Sequence, residues 1–486
     1  MEPACQLSRA KPEEVGVNAK GIEQFIGLIR EKRVALHSFM LLRHGKVAAE
    51  GFFAPFDKDR LHPIFSVSKS ITSAAVGIAV GEGRFGLQDK AVELLARHAA
   101  GDIHPYTAKL TVEHLLKMTT VYHKAPSSET PNWVRTYLTS KPERPPGFLF
   151  AYDTSGTNLL CAILQETTGM TVHQYLQPRL FDAIGMGPLD WASCPMGINR
   201  GGSGIRCTTE GLANFGQLYL QDGLWNGRRV LPEGWVARST ARHVDNSGHK
   251  GMLDGKPGYG YQFWRLRNGA YAAFGLGGQF VVVMPDKDAV FISTANTQFV
   301  KDGHQVILDS MWEALYPAMD GEGAGAATAA GSGLAERLAG LELSLPPGQP
   351  DSAMAAAVNG RFYRLEPNRH GFTGCRFQFA GEASTLRLTR GEGANGEAAE
   401  LAFGLHHWVS ARDSLFSSDE ACCASGTWVD GHTLLIHMHL LDKLQMVMFI
   451  CHFEEDTMAI QLVMPGVHFK DELECDWIST LADEGR

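Results

Sequence analysis

The chain has 486 residues, of which 44% are hydrophobic and 20% charged, and its formal net charge is −9. This length predicts more than one domain, and the spread of both charge signs along the chain indicates no nucleic-acid partner. The nine cysteines lack the CxxC spacing of zinc or redox sites, so we expect reduced thiols and no metal. No signal-like run opens the chain and no segment approaches the ~20 apolar residues that span a bilayer, which predicts a cytoplasmic protein without a membrane partner.

The first 319 residues mix helical and strand patterns. A helix is predicted over residues 21–32, followed by a hairpin, LHSFMLLRHGKVAAEGFF, that turns at His44-Gly45. Helical patterns then dominate, until GYGYQFW, AYAAF, QFVVVMP and AVFISTAN predict strands before a helix over residues 304–315. Early and late strands around a helical middle predict an α+β fold, with one sheet, flanking helices and a helical insertion.

A stretch rich in Gly, Ala and Pro predicts a linker after this region. It begins with DGEGAGAATAAGSG at Asp320 and ends with PPGQP, so we place the domain boundaries at residues 1–319, 320–350 and 351–486. Beyond it, GRFYRL, STLRLTR, LQMVMFICHF and MAIQLVM alternate apolar and polar residues, and Asp430-Gly431 predicts a hairpin. The carboxy-terminal part is therefore predicted to be an antiparallel β domain.

The stretch FSVSKS places Ser66 three residues before Lys69 at the start of a predicted helix. By itself this spacing also fits an N-cap serine with a solvated lysine. Side chains three apart on a helix can touch, however, and a buried lysine that has lost its charge can take the proton of a neighbouring alcohol. An apolar stripe that begins at Val67 is expected to face the core, which leaves Ser66, Lys69 and Ser73 free to line a cleft.

In its context, FSVSKSITSAAVGIAVGEGRFGLQDK resembles the nucleophile helix of the class C β-lactamase-like serine hydrolases, which share their catalytic domain with penicillin-binding proteins. The stretches LTVEHLLKMTT, PPGFLFAYDTSGTNLLCAILQETTGM, GGSGIRCTTEGLANFGQLYLQDG and FGLGGQFVVVMP follow in the family's order, so the resemblance covers most of residues 10–317. The resemblance implies a serine β-lactamase fold, Ser66 as the nucleophile, and no metal or organic cofactor.

The second element of this family is a tyrosine two residues before an asparagine, and here it reads Tyr152-Asp153-Thr154. The resemblance implies that Tyr152 takes the proton of Ser66 and passes it to the leaving group, and we expect a nearby ammonium to favour the charged phenol. Thr154 replaces the asparagine, so it offers the substrate a single donor in place of an amide.

The third element is normally Lys or His, then Ser or Thr, then Gly, and our alignment places Ala273-Phe274-Gly275 there. The missing cation disfavours substrates that carry a carboxylate. Gly275 and Gly277 are expected to let the strand edge approach the substrate, with the amide of Leu276 forming an oxyanion hole together with that of Ser66.

These features predict a serine hydrolase that cleaves a small, weakly charged ester or amide through an acyl-enzyme, and carboxylesterase activity is our first expectation. An amidase similar to the 6-aminohexanoate-dimer hydrolases and a β-lactamase of the same fold are alternatives. The departures at Thr154 and Phe274 also leave room for a catalytically inert acyl receptor. The only partner predicted is the small-molecule ester or amide, and the pattern does not indicate an oligomeric state.

Overall fold

The structure is a computed structural model of two compact units, Met1–Phe53 with Asp57–Leu341, and Ala54–Phe56 with Glu342–Arg486. It describes residues 7–249, 251, 253–255, 258–320, 333–391, 397–412, 415 and 420–464, and the backbone of 474–481. Of the predicted linker, residues 321–332 lie outside the described part of the chain. The boundaries predicted at residues 319 and 350 stay predictions.

The first unit contains helices of 3 to 15 residues. They are α1 (Ala19–Glu31), α2 (Val67–Gly81), α3 (Ala91–Leu94), α4 (Val112–Leu116), α5 (Trp133–Thr139), α6 (Thr154–Thr168), α7 (Val172–Leu176), α8 (Asp182–Ile184), α9 (Thr209–Leu220), α10 (Trp235–Thr240), α11 (Gly303–Ser310) and α12 (Leu334–Ala339). The helix predicted near the amino terminus is confirmed as α1, and the one predicted over residues 304–315 is α11 followed by a π turn. In the described part of the chain, no helix is both long enough and apolar enough to cross a membrane.

The strands of this unit form one main sheet and two small ones. They are β1 (Ala35–Arg43), β2 (Lys46–Phe52), β3 (His62–Pro63), β4 (Leu189–Trp191), β5 (Ile205–Cys207), β6 (Leu224–Trp225), β7 (Arg228–Arg229), β8 (Trp264–Arg265), β9 (Tyr271–Gly275), β10 (Gln279–Met284) and β11 (Ala289–Asn296). The predicted strand in GYGYQFW is wrong over most of its length, because only its last residue, Trp264, enters a strand.

The main sheet has the order β2-β1-β11-β10-β9-β8, so the early hairpin lies beside the late strands. The hairpin turns at His44 and Gly45, as predicted. Strands β10 and β11 are buried at every residue, as expected for strands with packing on both faces, and α9 packs closely against them at Gly216. The predicted α+β architecture, with the helical middle of the chain inserted between early and late strands, is confirmed.

Helix α2 is buried on all sides from Val67 to Ala79. The expectation that Ser73 lines a cleft is wrong: its side chain is fully buried, and its hydroxyl has no hydrogen-bond partner. The physical reason is composition, because a helix built almost entirely of apolar and small residues is packed all round instead of on one stripe.

The second unit contains the short helix α13 (Ala353–Val358) and a ten-stranded antiparallel sheet. Its strands are β12 (Phe362–Leu365), β13 (Phe372–Gln378), β14 (Ser384–Arg390), β15 (Glu397–Leu405), β16 (Val409–Arg412), β17 (Ala421–Trp428), β18 (Thr433–Leu440), β19 (Gln445–Glu454), β20 (Thr457–Met464) and β21 (Glu474–Leu481). An additional pairing of β15 with β17 nearly closes this sheet into a barrel, and the predicted hairpin at Asp430-Gly431 joins β17 to β18. The predicted β domain is confirmed.

Strand β18 alternates between the barrel core and its outer face. Leu434, Ile436 and Met438 belong to the core cluster, so His437 and His439 lie on the other face. Burial lowers the pKa of His437 to about 4 and that of His439 to about 3. Among the described residues, no three or more His, Cys, Asp or Glu side chains are grouped so that they could hold a metal ion.

Candidate active site

Ser66 lies at the sharp turn that starts α2. The preceding residue, Phe65, has a φ of +46°, in the left-handed region that residues with a side chain rarely adopt. Ser66 is the N-cap residue of the helix, yet its side chain makes no capping hydrogen bond. The hydroxyl is therefore free to interact with groups outside the backbone of the helix.

Lys69 lies one turn further along α2 and faces Ser66. Its Nζ donates hydrogen bonds to Ser66 Oγ at 3.0 Å and to the carbonyl oxygen of Gly202 at 2.6 Å. The side chain is buried, and this burial lowers the pKa of Lys69 to about 7, against the opposing effect of the negative charge of Asp153. A substantial fraction of this amine is consequently uncharged at neutral pH.

Gly202 is held in place by α6. Asn158, on this helix, accepts a 2.9 Å hydrogen bond from the Gly202 N–H and donates one of 2.7 Å to Ser128 Oγ. A Cβ at position 202 would lie 2.5 Å from Thr154 Cγ2 and 3.2 Å from Lys69 Nζ, so only glycine fits without displacing its neighbours. Sequence reasoning missed the roles of Gly202 and Asn158, although the GGSG stretch drew attention as a match to the family.

Tyr152 completes the group predicted from the sequence. Its ring centroid lies 4.9 Å from Lys69 Nζ, and burial raises the pKa of its phenol while a hydrogen bond with Ser66 opposes the rise. The expectation that the charged phenol is favoured is therefore wrong. Desolvation outweighs the hydrogen bond with Ser66, and Tyr152 keeps its proton at neutral pH.

Asp153 is the N-cap residue of α6 and is almost completely buried. Its carboxylate accepts hydrogen bonds from the Gly156 N–H at 2.7 Å, from the Tyr137 hydroxyl at 2.7 Å and from Thr120 Oγ1 at 2.9 Å. Burial raises the pKa of Asp153, while these hydrogen bonds and the charge of Lys69 lower it. This acid, which the sequence did not single out, fixes the start of α6 next to Tyr152.

Strand β9 ends beside the turn that carries Ser66. A Cβ added at Gly275 would collide with the carbonyl oxygen of Ile64, two residues before the serine. Gly277 has a φ of +84°, which glycine adopts without strain, and the Leu276 carbonyl accepts a 2.9 Å hydrogen bond from Gln279 Nε2. The third predicted element thus lies close to Ser66 in space.

Aromatic rings pack against Tyr152. Its ring stacks on His249 and on Trp264, with centroids 5.8 Å apart in each case, and Phe150 packs against both of these neighbours. Phe274, where the family has a hydroxyl residue, packs against Trp264 at 6.3 Å. Burial lowers the pKa of His249, so this group of rings, which we call the aromatic wall, carries little charge at neutral pH. Sequence reasoning missed it because its members come from separate segments.

The fold and the Ser-Lys-Tyr site define a hydrolase of the class C β-lactamase and penicillin-binding-protein type. A family model described as Beta-lactamase matches residues 25–315, and the chain belongs to this family. This confirms the resemblance predicted from the sequence.

The chain is also similar to several known proteins. A 6-aminohexanoate-dimer hydrolase from Paenarthrobacter ureafaciens is 26% identical over 296 residues, which are 55% of this chain and 74% of that protein. The structure of a family VIII carboxylesterase is similar with a TM-score of 0.52 and 15% identity over 63% of this chain and 99% of that one. SurE is similar with a TM-score of 0.51 and 19% identity, covering 86% of this chain and 98% of its own. At these identities, the two structural likenesses bear on the fold alone.

Proposed function

We propose that this protein is a carboxylesterase that hydrolyses a small uncharged ester through an acyl-enzyme on Ser66. The observation that supports this most directly is the buried Lys69 amine, 3.0 Å from Ser66 Oγ, with a pKa lowered to about 7. An amine in this state can accept the proton of an alcohol at neutral pH, which an exposed lysine cannot do.

Acylation begins when Ser66 Oγ attacks the ester carbonyl and Lys69 accepts the hydroxyl proton. The Gly202 carbonyl accepts from one N–H of the amine. In this proposal the uncharged nitrogen turns its lone pair to Ser66 Oγ, 3.0 Å away, and accepts the hydroxyl proton there. Tyr152, whose pKa is raised, gives its proton to the leaving oxygen and regains one from Lys69. The two groups therefore have separate roles, with Lys69 as the base and Tyr152 as the acid.

The negative oxygen of the tetrahedral intermediate is held by backbone amides. In this proposal the N–H groups of Ser66 and Leu276 form the oxyanion hole, since β9 ends against Ile64 just before the serine. The methyl group of Thr154 faces Gly202, and in this proposal the hydroxyl of Thr154 contributes to substrate orientation. Water then attacks the acyl-enzyme, with Lys69 and Tyr152 again exchanging protons, and releases the acid.

The preference for an uncharged ester follows from the residues around the site. Phe274 and its aromatic neighbours offer no cation for a substrate carboxylate, which disfavours penicillin-like substrates. The oxygen of an ester also needs less protonation to leave than the nitrogen of an amide does, which favours an ester. Hydrolysis of a linear amide is the second candidate, because the relative from Paenarthrobacter ureafaciens is named for the 6-aminohexanoate dimer.

The test is a substrate panel on the purified protein, with Ser66→Ala as the inactive reference and Ser73→Ala as the matched control on the same helix. We expect p-nitrophenyl acetate and butyrate to be cleaved, nitrocefin and the linear 6-aminohexanoate dimer to be cleaved much more slowly, and the Ser73 variant to keep full activity, since that hydroxyl has no partner. Strong nitrocefin turnover without ester cleavage would overturn the proposal.

An activity-based probe separates an enzyme from an inert acyl receptor. A fluorophosphonate should label the protein at Ser66, and Ser66→Ala should abolish the labelling. For an ester that releases a chromophore, an esterase gives continued release, whereas a receptor gives one equivalent and then stops. A single stoichiometric burst without turnover would establish the receptor in place of the carboxylesterase.

A further inference from the structure

Two neighbouring apolar side chains are exposed close to the candidate active site. Phe148 is 76% exposed and Leu149 60% exposed, more than any other large apolar residue in the described part of the chain. Exposed apolar groups that lie together and next to a site are a recognised sign of a binding surface. Their position in the chain is three and four residues before Tyr152.

The backbone holds these two residues on a small projection. The Gly147 N–H donates to the Thr119 carbonyl at 2.8 Å, and the Ala151 N–H donates to the Met118 carbonyl at 2.9 Å. Both ends of the segment 148–150 are thus fixed on two consecutive residues, so the segment is not a loose loop. Phe148 and Leu149 are thus exposed on a segment whose two ends are hydrogen-bonded to the rest of the unit.

The next residue, Phe150, connects this segment to the aromatic rings that pack against Tyr152. Phe150 turns towards the interior and packs edge to face on His249 at 5.4 Å, on Tyr259 at 5.0 Å and on Trp264 at 6.3 Å. Trp264 stacks in turn on Tyr152. The chain therefore passes from two exposed apolar side chains, through the half-buried Phe150, to the phenol next to Ser66 within five residues.

We infer that Phe148, Leu149 and Phe150 form an apolar subsite for the alcohol half of the ester, with the buried Trp264 packed behind Phe150. The inference rests on the proposed function and specifies its substrate class. In the proposed mechanism Tyr152 protonates the leaving oxygen, so the alcohol lies against Tyr152 when the bond breaks. The exposed large apolar side chains nearest to this tyrosine along the described chain are Phe148 and Leu149. The preferred substrate is an ester of an alkyl or aryl alcohol long enough to reach Phe148.

The size of the effect follows from the burial of apolar groups. Each methylene that leaves water for this surface is expected to increase kcat/KM about fourfold, until the alcohol is long enough to cover Phe148 and Leu149. The acyl half, on the other side of the scissile bond, gains nothing from these residues.

The experiment compares two ester series. One varies the alcohol, from ethyl to octyl acetate, and the other varies the acid, from ethyl acetate to ethyl octanoate, with acid release followed in a pH-stat. Phe148→Ser, Leu149→Ser and the double variant are compared with Met170→Ser, an exposed apolar residue (43%) elsewhere on the surface. Since all three residues are exposed, the variants are expected to fold.

The double variant should lower the octyl-to-ethyl ratio in the alcohol series by about tenfold or more, while the ratio in the acid series stays as it was. The Met170 variant should change neither ratio. A fall confined to the acid series, or equal ratios in the double variant and the unsubstituted protein, would overturn the assignment. A change in oligomeric state with unaltered ratios would show that the two side chains bind a second copy instead, which also overturns it.

A binding readout keeps this outcome separate from failure of the proposed function. 1-Octanol, the alcohol half alone, should slow fluorophosphonate labelling of the unsubstituted protein far more than ethanol does, and the double variant should lose this protection. Protection without ester turnover would support the subsite and contradict the esterase. Ester turnover with no difference between 1-octanol and ethanol would contradict the subsite alone.

Discussion

Lys69 Nζ lies closer to the carbonyl oxygen of Gly202, at 2.6 Å, than to Ser66 Oγ, at 3.0 Å. The carbonyl holds the nitrogen in place by accepting a hydrogen bond from one of its N–H groups. The rest of the amine can then interact with Ser66. The position of a backbone group on a loop thus decides where the proposed base points.

Replacement of Gly202 should therefore impair catalysis more than stability. In Gly202→Ala the new Cβ would lie 2.5 Å from Thr154 Cγ2 and 3.2 Å from Lys69 Nζ, so either Thr154 or the amine must move. We expect kcat/KM for an ester to fall by about 10²-fold, as misplacement of a catalytic group does. The control is Gly27→Ala in α1, where a Cβ meets nothing within 4 Å and should leave activity unchanged. Equal activity of the two variants would contradict the role of the Gly202 carbonyl.

The rate should depend on pH through the charge of Lys69. Lys69 acts as a base only when it is uncharged. Because its pKa is lowered to about 7, kcat/KM should rise as the pH increases through about 7 and level off above it. Initial rates with a subsaturating ester and a leaving group that does not titrate in this range give the profile. The rate of fluorophosphonate labelling should follow the same curve. A rate that is constant from about pH 5 to pH 9 would contradict Lys69 as the base.

Asp153→Asn should move this profile to lower pH. The negative charge of Asp153 raises the pKa of Lys69, so its removal lets burial lower that pKa further. One amide oxygen can still accept from the Gly156 N–H, but the hydroxyls of Tyr137 and Thr120 lose their shared acceptor, and a loss of about 2–3 kcal/mol of folding free energy is expected. Asp190→Asn, an exposed carboxylate, is the control. Movement of the profile to higher pH would show that the electrostatic argument is wrong.

In the second unit, the barrel core should depend on Trp428. This residue is 1% exposed and packs against Phe379 and Phe453, whereas the next residue, Val429, is 46% exposed. Trp428→Ala should cost about 3–5 kcal/mol of folding free energy, and Val429→Ala less than about 0.5 kcal/mol. Thermal unfolding of both variants measures the difference. Equal midpoints would contradict the assignment of Trp428 to the core.

The parts of the structure that could be predicted from the sequence are those governed by local patterns. The turn at His44-Gly45, the hairpin at Asp430-Gly431 and the spacing of Ser66 and Lys69 depend on residues that are neighbours in the chain. Periods of two and of 3.6 residues also predict α1, α11, the strands of the main sheet except β8, and the β-rich second unit, but they do not place the separate helices in the middle of the chain.

The rest depends on contacts between distant segments. Nothing near Lys69 in the sequence indicates that Gly202 accepts its second hydrogen bond, 133 positions away. The strand predicted in GYGYQFW is wrong because Gly260 packs tightly against the backbone at Ser239 and Tyr259 forms only isolated bridges, to Val244 and Trp264, in place of a continuous ladder. The direction of the Tyr152 pKa shift also needed the structure, since it is set by burial, which the sequence does not show.

The three residues Ala54–Phe56 belong to the second unit although the chain on both sides of them belongs to the first. Ala54 pairs with Glu342 in a parallel bridge, and its carbonyl accepts a 3.1 Å hydrogen bond from the Leu343 N–H. The two units are therefore not consecutive in the sequence, because a segment of the second is inserted within the first. A protein truncated after Leu341 keeps residues 54–56 but loses the residues to which Ala54 is bonded. A change in its stability or activity would therefore reflect the lost partners of this segment as well as the missing domain.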